Sequence, residues 1–426
     1  MKDAAEQENR TIQLERSTYA IESKGDSLVT SLFTFSKAER EEIFAKLNSI
    51  IMENDLDILI LSDPDNFTYA TGVDLPYAEN YPHKLVMAVI SRDEKKHAVF
   101  CEPDWVDLVN DQGWDGMVKP FTFQKNGSYL TLIEKLNEYL DNYLQPNARI
   151  GVDDDLWPQK LVDTINTPHR HQLIPITKHV NDVRMIKTKA ELRLLEEACR
   201  QTDRAIISAL NHTEGNVHDP LGYDLWEFSE RIRVHVGEFG GSGTGNVVTL
   251  QGGEMSLLYK PPVGIFEEGE WLRCEVTNHH RGYWSSGGRV FVVGYPSKEQ
   301  VKIYEEYISL KNSAAEWLCA GRKCRDVFDH IEELSAQEGI NLFKEAGFGH
   351  GIGVSEREAP YLSHDDETVL QPGMVVVLEI YLRTDRGELI CSKDAFEITV
   401  HSPRLLSWYK NWDQLYALIG NSARHG

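Results

Sequence analysis

The stretch from Gly269 to Val293, GEWLRCEVTNHHRGYWSSGGRVFVV, constrains the fold more than any other part of the sequence. Two runs rich in β-branched and aromatic residues flank Arg281 and Gly282, and a turn that contains glycine between two such runs supports a hairpin. The pattern therefore predicts two antiparallel strands. Alternate side chains of a strand lie on one face, so we expect Glu275 to share a face with His279 and not with His280, unless a bulge intervenes.

Three later segments extend this pattern: GFGHGIG at 347–353, PGMVVVLEI at 372–380 and CSKDAFEIT at 391–399. Taken in order, the hairpin and these segments resemble the C-terminal domain of the pita-bread fold, which Xaa-Pro aminopeptidases, prolidases, methionine aminopeptidases and creatinase share. In the peptidases, two aspartates of the hairpin and a histidine and two glutamates of the later segments hold two divalent metals. The corresponding positions in this sequence are Glu275, Ser286, His350, Glu379 and Lys393.

The resemblance also implies that the metal site is lost. Two dications need anionic oxygen ligands, whereas Ser286 offers a neutral hydroxyl. Lys393 carries an ammonium, which has no lone pair and repels a dication. The formal charges of Glu275, Glu379 and Lys393 sum to −1. We therefore expect no metal and no other cofactor, with one residual ion on Glu275, His350 and Glu379 as the alternative.

Two further histidines of the peptidases are also missing. Their positions fall near Leu258 and at Arg357, so we do not expect peptide hydrolysis by the family route. Creatinase also lacks a full ligand set, yet it keeps the histidine and the first glutamate, which match His350 and Glu379 here. It also has a basic residue at the position of Lys393.

Ectoine hydrolases resemble the hairpin itself more closely. They have a glutamate at the position of Glu275 and residues similar to three in this hairpin, but they do not keep the histidine matched by His350. The candidates for substrate contact are His279, His280, Tyr283, Arg289 and Arg357. Packing and strand pairing in the hairpin are the alternative for Tyr283 and Arg289, and an ordinary surface position is the alternative for Arg357.

Four residues are candidates for the chemistry: Glu275, His350, Glu379 and Lys393. A carboxylate buried without a partner is costly, so Glu275 either acts as base, nucleophile or cation clamp, or pairs with Lys393 or Arg289. Lys393 either keeps both carboxylates ionised in place of the metals or forms a purely structural ion pair. His350 lies between two glycines, which we expect to let a substrate approach. It transfers protons or is a hydrogen-bonded structural residue.

The N-terminal half alternates strands and helices, which is typical of an α/β domain. Ser36 is expected to cap a helix that runs to about Glu53, and DLDILILSD at 55–63 to form a buried strand. Together with NFTYATGVD at 66–74, this segment is similar to the N-terminal domain of creatinase and prolidase. The expected fold is α/β (α+β), with an arm at 1–35, a creatinase/prolidase-like domain at 36–183 and a pita-bread domain at 184–426.

Composition limits the partners. The formal charge of −23 argues against nucleic acid and anionic membranes, because like charges repel. No apolar run approaches the roughly 18 residues of a spanning helix, the start is not typical of a signal peptide, and the glycine-rich stretch at 240–245 lacks the lysine of a phosphate loop. The six cysteines have no zinc-like or disulfide-like spacing, which indicates a reducing cytoplasm. The resemblance to creatinase implies a homodimer in which the loop Asp74–His83 reaches the partner's cleft.

The sequence thus predicts a metal-independent, creatinase-like hydrolase that cleaves a C–N bond of a small-molecule substrate. A site of charge −1 beside an arginine suits a cationic or zwitterionic metabolite. Three alternatives stay open: an Xaa-Pro peptidase-like metallohydrolase, a lyase of the sulfonio-propionate type, and a catalytically inactive binding module like the pita-bread domains of some chromatin and ribosome-associated proteins.

Overall fold

The computed structural model describes residues 35–75, 86–122, 130–153, 171–216, 223–251, 263–406 and 412–419. The α-helices in these residues are α1 (Lys37–Glu53), α2 (Pro64–Thr71), α3 (Val106–Asp111), α4 (Leu130–Tyr143), α5 (Thr177–Met185), α6 (Lys189–Asn216), α7 (Leu225–Glu238), α8 (Lys298–Ala315) and α9 (Cys324–Glu338). The strands are β1 (Ile58–Leu61), β2 (Met87–Ser91), β3 (Ala98–Cys101), β4 (Met117–Pro120), β5 (Arg149–Val152), β6 (Gln172–Pro175), β7 (Gly243–Gln251), β8 (Trp271–His280), β9 (Tyr283–Val293), β10 (Leu342–Phe343), β11 (Gly349–Gly351), β12 (Glu358–Tyr361), β13 (Val375–Arg383), β14 (Leu389–Glu397), β15 (Arg404–Leu405) and β16 (Tyr416–Leu418).

Of the described strands, six form an N-terminal sheet in the order β4-β3-β2-β1-β5-β6. The predicted buried strand is β1, which lies antiparallel to β2 and parallel to β5. Helix α1 begins as predicted. The Ser36 hydroxyl accepts from the backbone N–H of Glu39, whose carboxylate accepts from the backbone N–H of Ser36. This capping box satisfies two donors at the helix start, and it fixes the helix so that Ile43 and Leu47 enter one core with β1 and β2.

The other ten described strands form a second sheet, seven of them in the order β12-β11-β13-β14-β9-β8-β7. Strands β10, β15 and β16 pair with β13, β14 and β9. The predicted hairpin is confirmed as β8 and β9, with His280 opposite Tyr283. Between them, Arg281 and Gly282 have φ values of 50° and 83°. Positive φ at both central positions is the requirement of a type I′ turn, whose twist matches that of the strands it joins.

Alternation along the strands separates an apolar face of this sheet from a polar one. Cys274 and Val276 of β8 share a core with α6 and α7. Leu378 of β13 shares a core with α8 and α9. Glu275 and Glu379 occupy the intervening positions, so they project from the opposite face of the sheet. The hydrophobic pattern thus directs the two carboxylates away from the helices.

A buried ionic cluster joins the N-terminal part of the chain to the second sheet. Glu358 of β12 pairs with both Arg184 and Lys187. The Ser355 hydroxyl donates to Asp65 of α2 over 2.5 Å. These contacts hold the loop before β12 against helix α2, which matters because that loop carries part of the site.

Some predicted features lie outside the described residues. They are the arm up to residue 34, the position of Leu258 and most of the loop Asp74–His83. Phe35, which the prediction assigned to the arm, is buried, and its ring lies 5.9 Å from that of Tyr283. Within the described ranges, no helix is long and apolar enough to cross a membrane.

Candidate active site

Four neighbouring strands bring the predicted catalytic residues into one row. Glu275 of β8 lies opposite Gly288 of β9, Gly288 lies opposite Lys393 of β14, and Lys393 lies opposite Glu379 of β13. Directly opposed residues on neighbouring strands project to the same side. The row therefore gathers residues that are far apart in sequence on the polar face of the sheet.

Lys393 lies between the two carboxylates. Its Nζ is 2.6 Å from Glu275 Oε2 and 2.9 Å from Glu379 Oε2. Burial alone would lower the pKa of this ammonium, but the two carboxylates raise it well above its usual value. Gly288 makes the arrangement possible, because a Cβ at that position would lie only 2.9 Å from Lys393 Cγ. The missing side chain gives the lysine stem room to cross β9 and reach Glu275.

Glu379 is held by a second cation. Arg357 Nη2 donates to Glu379 Oε1 over 2.7 Å, and the Arg357 side chain is 45% exposed while that of Glu379 is buried. Burial would raise the pKa of the Glu379 carboxyl, but Lys393, His350 and Arg357 together lower it to about 2. Glu379 is thus an anion at any physiological pH.

Two residues that hold Glu275 were not identified from the sequence. The Tyr381 hydroxyl donates to Glu275 Oε2 over 3.0 Å, and Arg273 Nε lies 2.9 Å from Glu275 Oε1. Each is two residues from a predicted site residue on the same strand, Arg273 from Glu275 and Tyr381 from Glu379. Alternation alone could have drawn attention to both.

His350 is buried beside Glu379 and is neutral. Its Nδ1 lies 2.8 Å from the carbonyl oxygen of Gly351, so Nδ1 carries the hydrogen and Nε2 is the acceptor. Nε2 lies 3.9 Å from Glu379 Oε2. Burial lowers the His350 pKa to about 4, although Glu379 acts in the opposite direction.

The two glycines that flank His350 do not have the predicted role. A Cβ at Gly349 would lie 2.2 Å from the Val377 carbonyl oxygen, and one at Gly351 would lie 2.3 Å from the Ala359 carbonyl oxygen. Both glycines are therefore required where β11 packs between β12 and β13. They do not open a path for a substrate.

The residues present do not fit the metal pair of the peptidases. Ser286 of β9 lies opposite Thr277, two residues before Gly288 and on the same face. It contributes a hydroxyl where the peptidases have a carboxylate. The Lys393 ammonium is within hydrogen-bond distance of both glutamates, and a dication cannot share that space with it. In the part of the chain that the structure describes, no group of three or more histidine, cysteine, aspartate or glutamate side chains could hold a metal ion. The single-ion alternative meets the same obstacle.

The charge of the site differs from the predicted value. The prediction counted Glu275, Glu379 and Lys393, whereas the structure adds Arg273 and Arg357 as direct partners of the carboxylates. Three cations against two anions give a formal charge of +1 in place of −1. The reason is that the prediction left out Arg273, which lies two residues from Glu275 on the same strand, and did not count Arg357 as a direct partner of Glu379.

A third carboxyl group lies at the edge of this cluster. Burial raises the pKa of Glu356, while Lys393 and Arg357 lower it and Glu379 raises it further. Glu356 was also not identified from the sequence. It precedes Arg357 in the loop that Glu358 and Ser355 anchor, so its position depends on the contact between the two parts of the chain.

His279 shares the face of Glu275, as alternation predicted. It lies four residues further along β8, where its Nδ1 is 3.6 Å from Asp74 Oδ1 and its ring is 4.9 Å from that of Trp284. Burial lowers the His279 pKa to about 4. The residue thus lies on the polar face beside the N-terminal part of the chain, at a distance from the ionic cluster.

The predicted substrate contacts of His280 and Tyr283 need correction. His280 Nδ1 lies 3.2 Å from Gln201 Nε2, and the Tyr283 hydroxyl donates to Glu191 Oε1 over 3.2 Å. Gln201 and Glu191 both belong to helix α6, which covers the other face of the hairpin. The two residues therefore attach the hairpin to a helix and face away from the carboxylates.

The predicted substrate contact of Arg289 needs the same correction. Its guanidinium is fully buried, with Nη2 2.5 Å from Asp203 Oδ1 and 3.0 Å from Asp394 Oδ1. Asp394 also pairs with Lys311 of α8, so its role is structural. Arg289 donates to the backbone carbonyl of Lys393 over 2.8 Å. It supports the strand that presents Lys393 and does not contact Glu275.

Two family models match the chain. Residues 44–186 match the Creatinase/Prolidase N-terminal domain, and residues 193–401 match Metallopeptidase family M24. With the pita-bread topology and the site described above, the chain belongs to the creatinase and Xaa-Pro peptidase family.

A relative in sequence is named as a peptidase, and two solved structures share the fold. An Xaa-Pro dipeptidase from Pyrococcus furiosus is 24% identical over 346 residues, which cover 80% of this chain and 90% of the relative. The solved structure of a prolidase from Thermococcus sibiricus has a TM-score of 0.74 at 18% identity and covers 90% of this chain and 100% of the other. The N-terminal domain of FACT complex subunit SPT16 from Cicer arietinum has a TM-score of 0.65 at 12% identity, covering 88% and 98% of the two chains. The structural matches show the fold.

Proposed function

We propose that this protein is a hydrolase that cleaves a C–N bond of a small, non-peptide metabolite without a metal. One observation carries the proposal: the Lys393 ammonium lies 2.6 Å from Glu275 and 2.9 Å from Glu379. These are two of the positions at which the peptidases hold metal. A fixed ammonium there supplies positive charge from the protein itself and keeps Glu379 ionised.

His350 is the residue that moves a proton in the proposed reaction. Its Nε2 accepts a proton from the attacking water, and the water oxygen forms a bond to the substrate carbon. The proton then passes to the departing nitrogen as the C–N bond breaks. Glu379, whose Oε2 is 3.9 Å from Nε2, stabilises the imidazolium that forms between these steps. Proton transfer by a positioned side chain typically contributes about 10²–10⁴-fold to the rate.

Glu275 has two roles open to it. Tyr381, Arg273 and Lys393 surround its carboxylate, which fits a group that orients water or substrate as well as one that balances Lys393. Substitution by glutamine separates the two roles. A loss of turnover larger than that of a Lys393 variant supports direct chemistry, and a nearly silent change supports charge balance.

The relatives favour a second candidate. The relative from Pyrococcus furiosus is named an Xaa-Pro dipeptidase, and family membership makes hydrolysis of a peptide C–N bond the activity suggested by descent. The site supports it less, because Ser286 and Lys393 replace metal ligands. A binding module is a third candidate, supported by the similarity of fold to the FACT subunit domain. A lyase has no specific observation in its favour.

The decisive experiment measures metal content and activity together. Protein purified in the presence of EDTA is assayed for hydrolysis of creatine, related guanidino acids, cyclic amidines such as ectoine, and the dipeptides Ala-Pro and Gly-Pro, with and without added Mn²⁺. We expect turnover of a non-peptide compound that survives chelation, with less than stoichiometric metal by elemental analysis. Cleavage of a dipeptide only with Mn²⁺ would establish the peptidase candidate and refute the proposal. Binding without turnover of any compound would favour the third candidate.

We also infer a cytoplasmic homodimer. The six cysteines form no disulfide, which supports a reducing compartment, and the two-part layout supports the dimer expected from creatinase-type relatives. The small-molecule substrate remains the expected partner, without nucleic acid or membrane. Light scattering coupled to size-exclusion chromatography tests the dimer, and a monomeric mass with full activity would refute it.

A further inference from the structure

Tyr381 lies next to each of the charged groups that contact Glu275. It follows Glu379 by two residues on β13, so it projects to the same face of the sheet, and its side chain is buried. Its hydroxyl reaches across β14 and β9 and donates to Glu275 Oε2 on β8 over 3.0 Å. Its ring centroid lies 5.4 Å from Arg273 Cζ and 5.7 Å from Lys393 Nζ, within the range of cation–π attraction. Tyr381 thus contacts the carboxylate and both of its cations.

The hydrogen bond from Tyr381 gives Glu275 a direction but adds no charge. Burial, and then the neighbouring Cys391 and Glu275, raise the pKa of the Tyr381 hydroxyl well above its usual value. Lys393 acts in the opposite direction but does not cancel this effect. The phenol is therefore neutral and stays a donor. A carboxylate that only balanced Lys393 would need no such donor, because Arg273 already supplies a second cation. The neutral donor on Oε2 instead fixes which way the carboxylate faces.

The second oxygen of Glu275 is left without a hydrogen bond. Arg273 Nε lies 2.9 Å from Oε1, but this contact lacks the geometry of a hydrogen bond. Among the residues that the structure describes, the buried Oε1 has no hydrogen-bond partner. A buried acceptor without a donor is costly, so a donor that enters the site gains by bonding to Oε1. Glu275 therefore has one oxygen that is held and one that can accept a hydrogen.

We propose that Tyr381 is a positioning residue, which holds Glu275 Oε2 so that Oε1 accepts a hydrogen from water or substrate during turnover. This inference rests on the proposed function, and it commits Glu275 to a direct role in the reaction. Side chains that act in a reaction are held in their productive geometry by hydrogen bonds from the residues around them. Lys393 and Arg273 set the charge around Glu275, whereas Tyr381 sets its orientation. That orientation can be observed without turnover.

Replacement of Tyr381 by phenylalanine tests the proposal, because it removes the hydroxyl and keeps the ring between the two cations. In EDTA we expect kcat to fall about ten-fold or more, the rate equivalent of one hydrogen bond to a charged group, with little change in KM. In a crystal structure of the variant, the Glu275 carboxylate should be rotated from its wild-type orientation. Because Tyr381 acts through Glu275, adding Tyr381→Phe to Glu275→Gln should lower kcat little further.

Tyr304→Phe is the matched control. Tyr304 is also buried, but it lies in the core between the sheet and helices α8 and α9. Its hydroxyl donates to the backbone carbonyl of Trp412 over 2.7 Å. This variant should lower the melting temperature as Tyr381→Phe does, but it should leave kcat and the orientation of Glu275 unchanged. An equal loss of kcat in both variants would assign Tyr381 a purely structural role and refute the proposal.

Three other results would overturn the proposal. They are a wild-type kcat in Tyr381→Phe, a Glu275 carboxylate that keeps its orientation in the crystal structure of that variant, and effects on kcat that simply multiply in the double variant. A rotated carboxylate in a protein that hydrolyses a dipeptide only with Mn²⁺ would refute the proposed function and leave Tyr381 as the residue that orients Glu275. Metal-free turnover of a non-peptide compound with an unmoved carboxylate would do the reverse.

Discussion

Replacement of Lys393 by methionine tests the electrostatic role of its ammonium directly. Methionine keeps much of the stem volume, so the change removes the charge and little else. Removal of one partner from a buried ion pair typically costs about 3–5 kcal/mol. Arg273 and Arg357 still pair with one carboxylate each, so we expect the lower end, about 3 kcal/mol of unfolding free energy at pH 7.

This loss should depend on pH in a defined direction. The Glu379 pKa is depressed from its usual 4.5 to about 2, so its stabilising contribution is present above about pH 4.5 and is lost as the pH falls toward 2. Without Lys393 the Glu379 pKa rises, and the variant takes up a proton at higher pH than the wild type. The stability difference should therefore shrink as the pH falls below about 4.5. Urea unfolding at pH 8, 7, 5 and 4 measures it.

The same variant should lose turnover by about 10² or more, and the acidic limb of its rate profile should move to higher pH. Lys311→Met is the matched control, because Lys311 is also buried and paired with an aspartate, Asp394, but lies on the helix side of the sheet. It should reduce stability without moving the acidic limb. A Lys393→Met variant with unchanged rate, or a stability loss that is the same at every pH, would show that the ammonium has no electrostatic role in the site.

Four further predictions follow from the geometry. Gly288→Ala should displace the Lys393 stem, which its Cβ would approach to 2.9 Å, so turnover should fall and stability should decrease by about 1–3 kcal/mol; a crystal structure with an unmoved lysine would contradict this. The double variant Ser286→Asp, Lys393→Glu should restore a metal-binding set, and Mn²⁺ should raise its melting temperature but not that of the wild type. Glu358→Gln removes the carboxylate that pairs with the buried Arg184 and Lys187 and should lower the free energy of unfolding by about 3–5 kcal/mol, measured by urea unfolding. A loss below about 1 kcal/mol would argue against this ionic cluster as the link between the N-terminal part of the chain and the second sheet. In the wild type, kcat/KM should fall only as the pH drops through about 4, where His350 takes up its proton; a midpoint near 6.5 would mean that the imidazole is not buried during turnover.

The sequence alone determined the local features of this protein. The glycine of the Arg-Gly pair predicted the turn between β8 and β9, because glycine adopts the positive φ that such a turn requires. Period-two alternation predicted that Glu275 and His279 share a face and that His280 does not. The residue types Ser286 and Lys393 indicated a site unfit for two metals, since ligand chemistry depends on the side chain itself.

Tertiary structure decided what surrounds those residues. Tyr381 contacts Glu275 because of the pairing order of β8, β9, β14 and β13, and strand order is not encoded in the pattern of any single strand. Gly288 has its role because of one residue on the neighbouring strand, Lys393. The formal charge of the site is +1 in place of −1 because the folded chain places the Arg273 and Arg357 side chains directly against the two carboxylates. Local sequence specifies backbone conformation and face, whereas the charge balance of a site depends on groups that only the folded chain brings within a few ångströms.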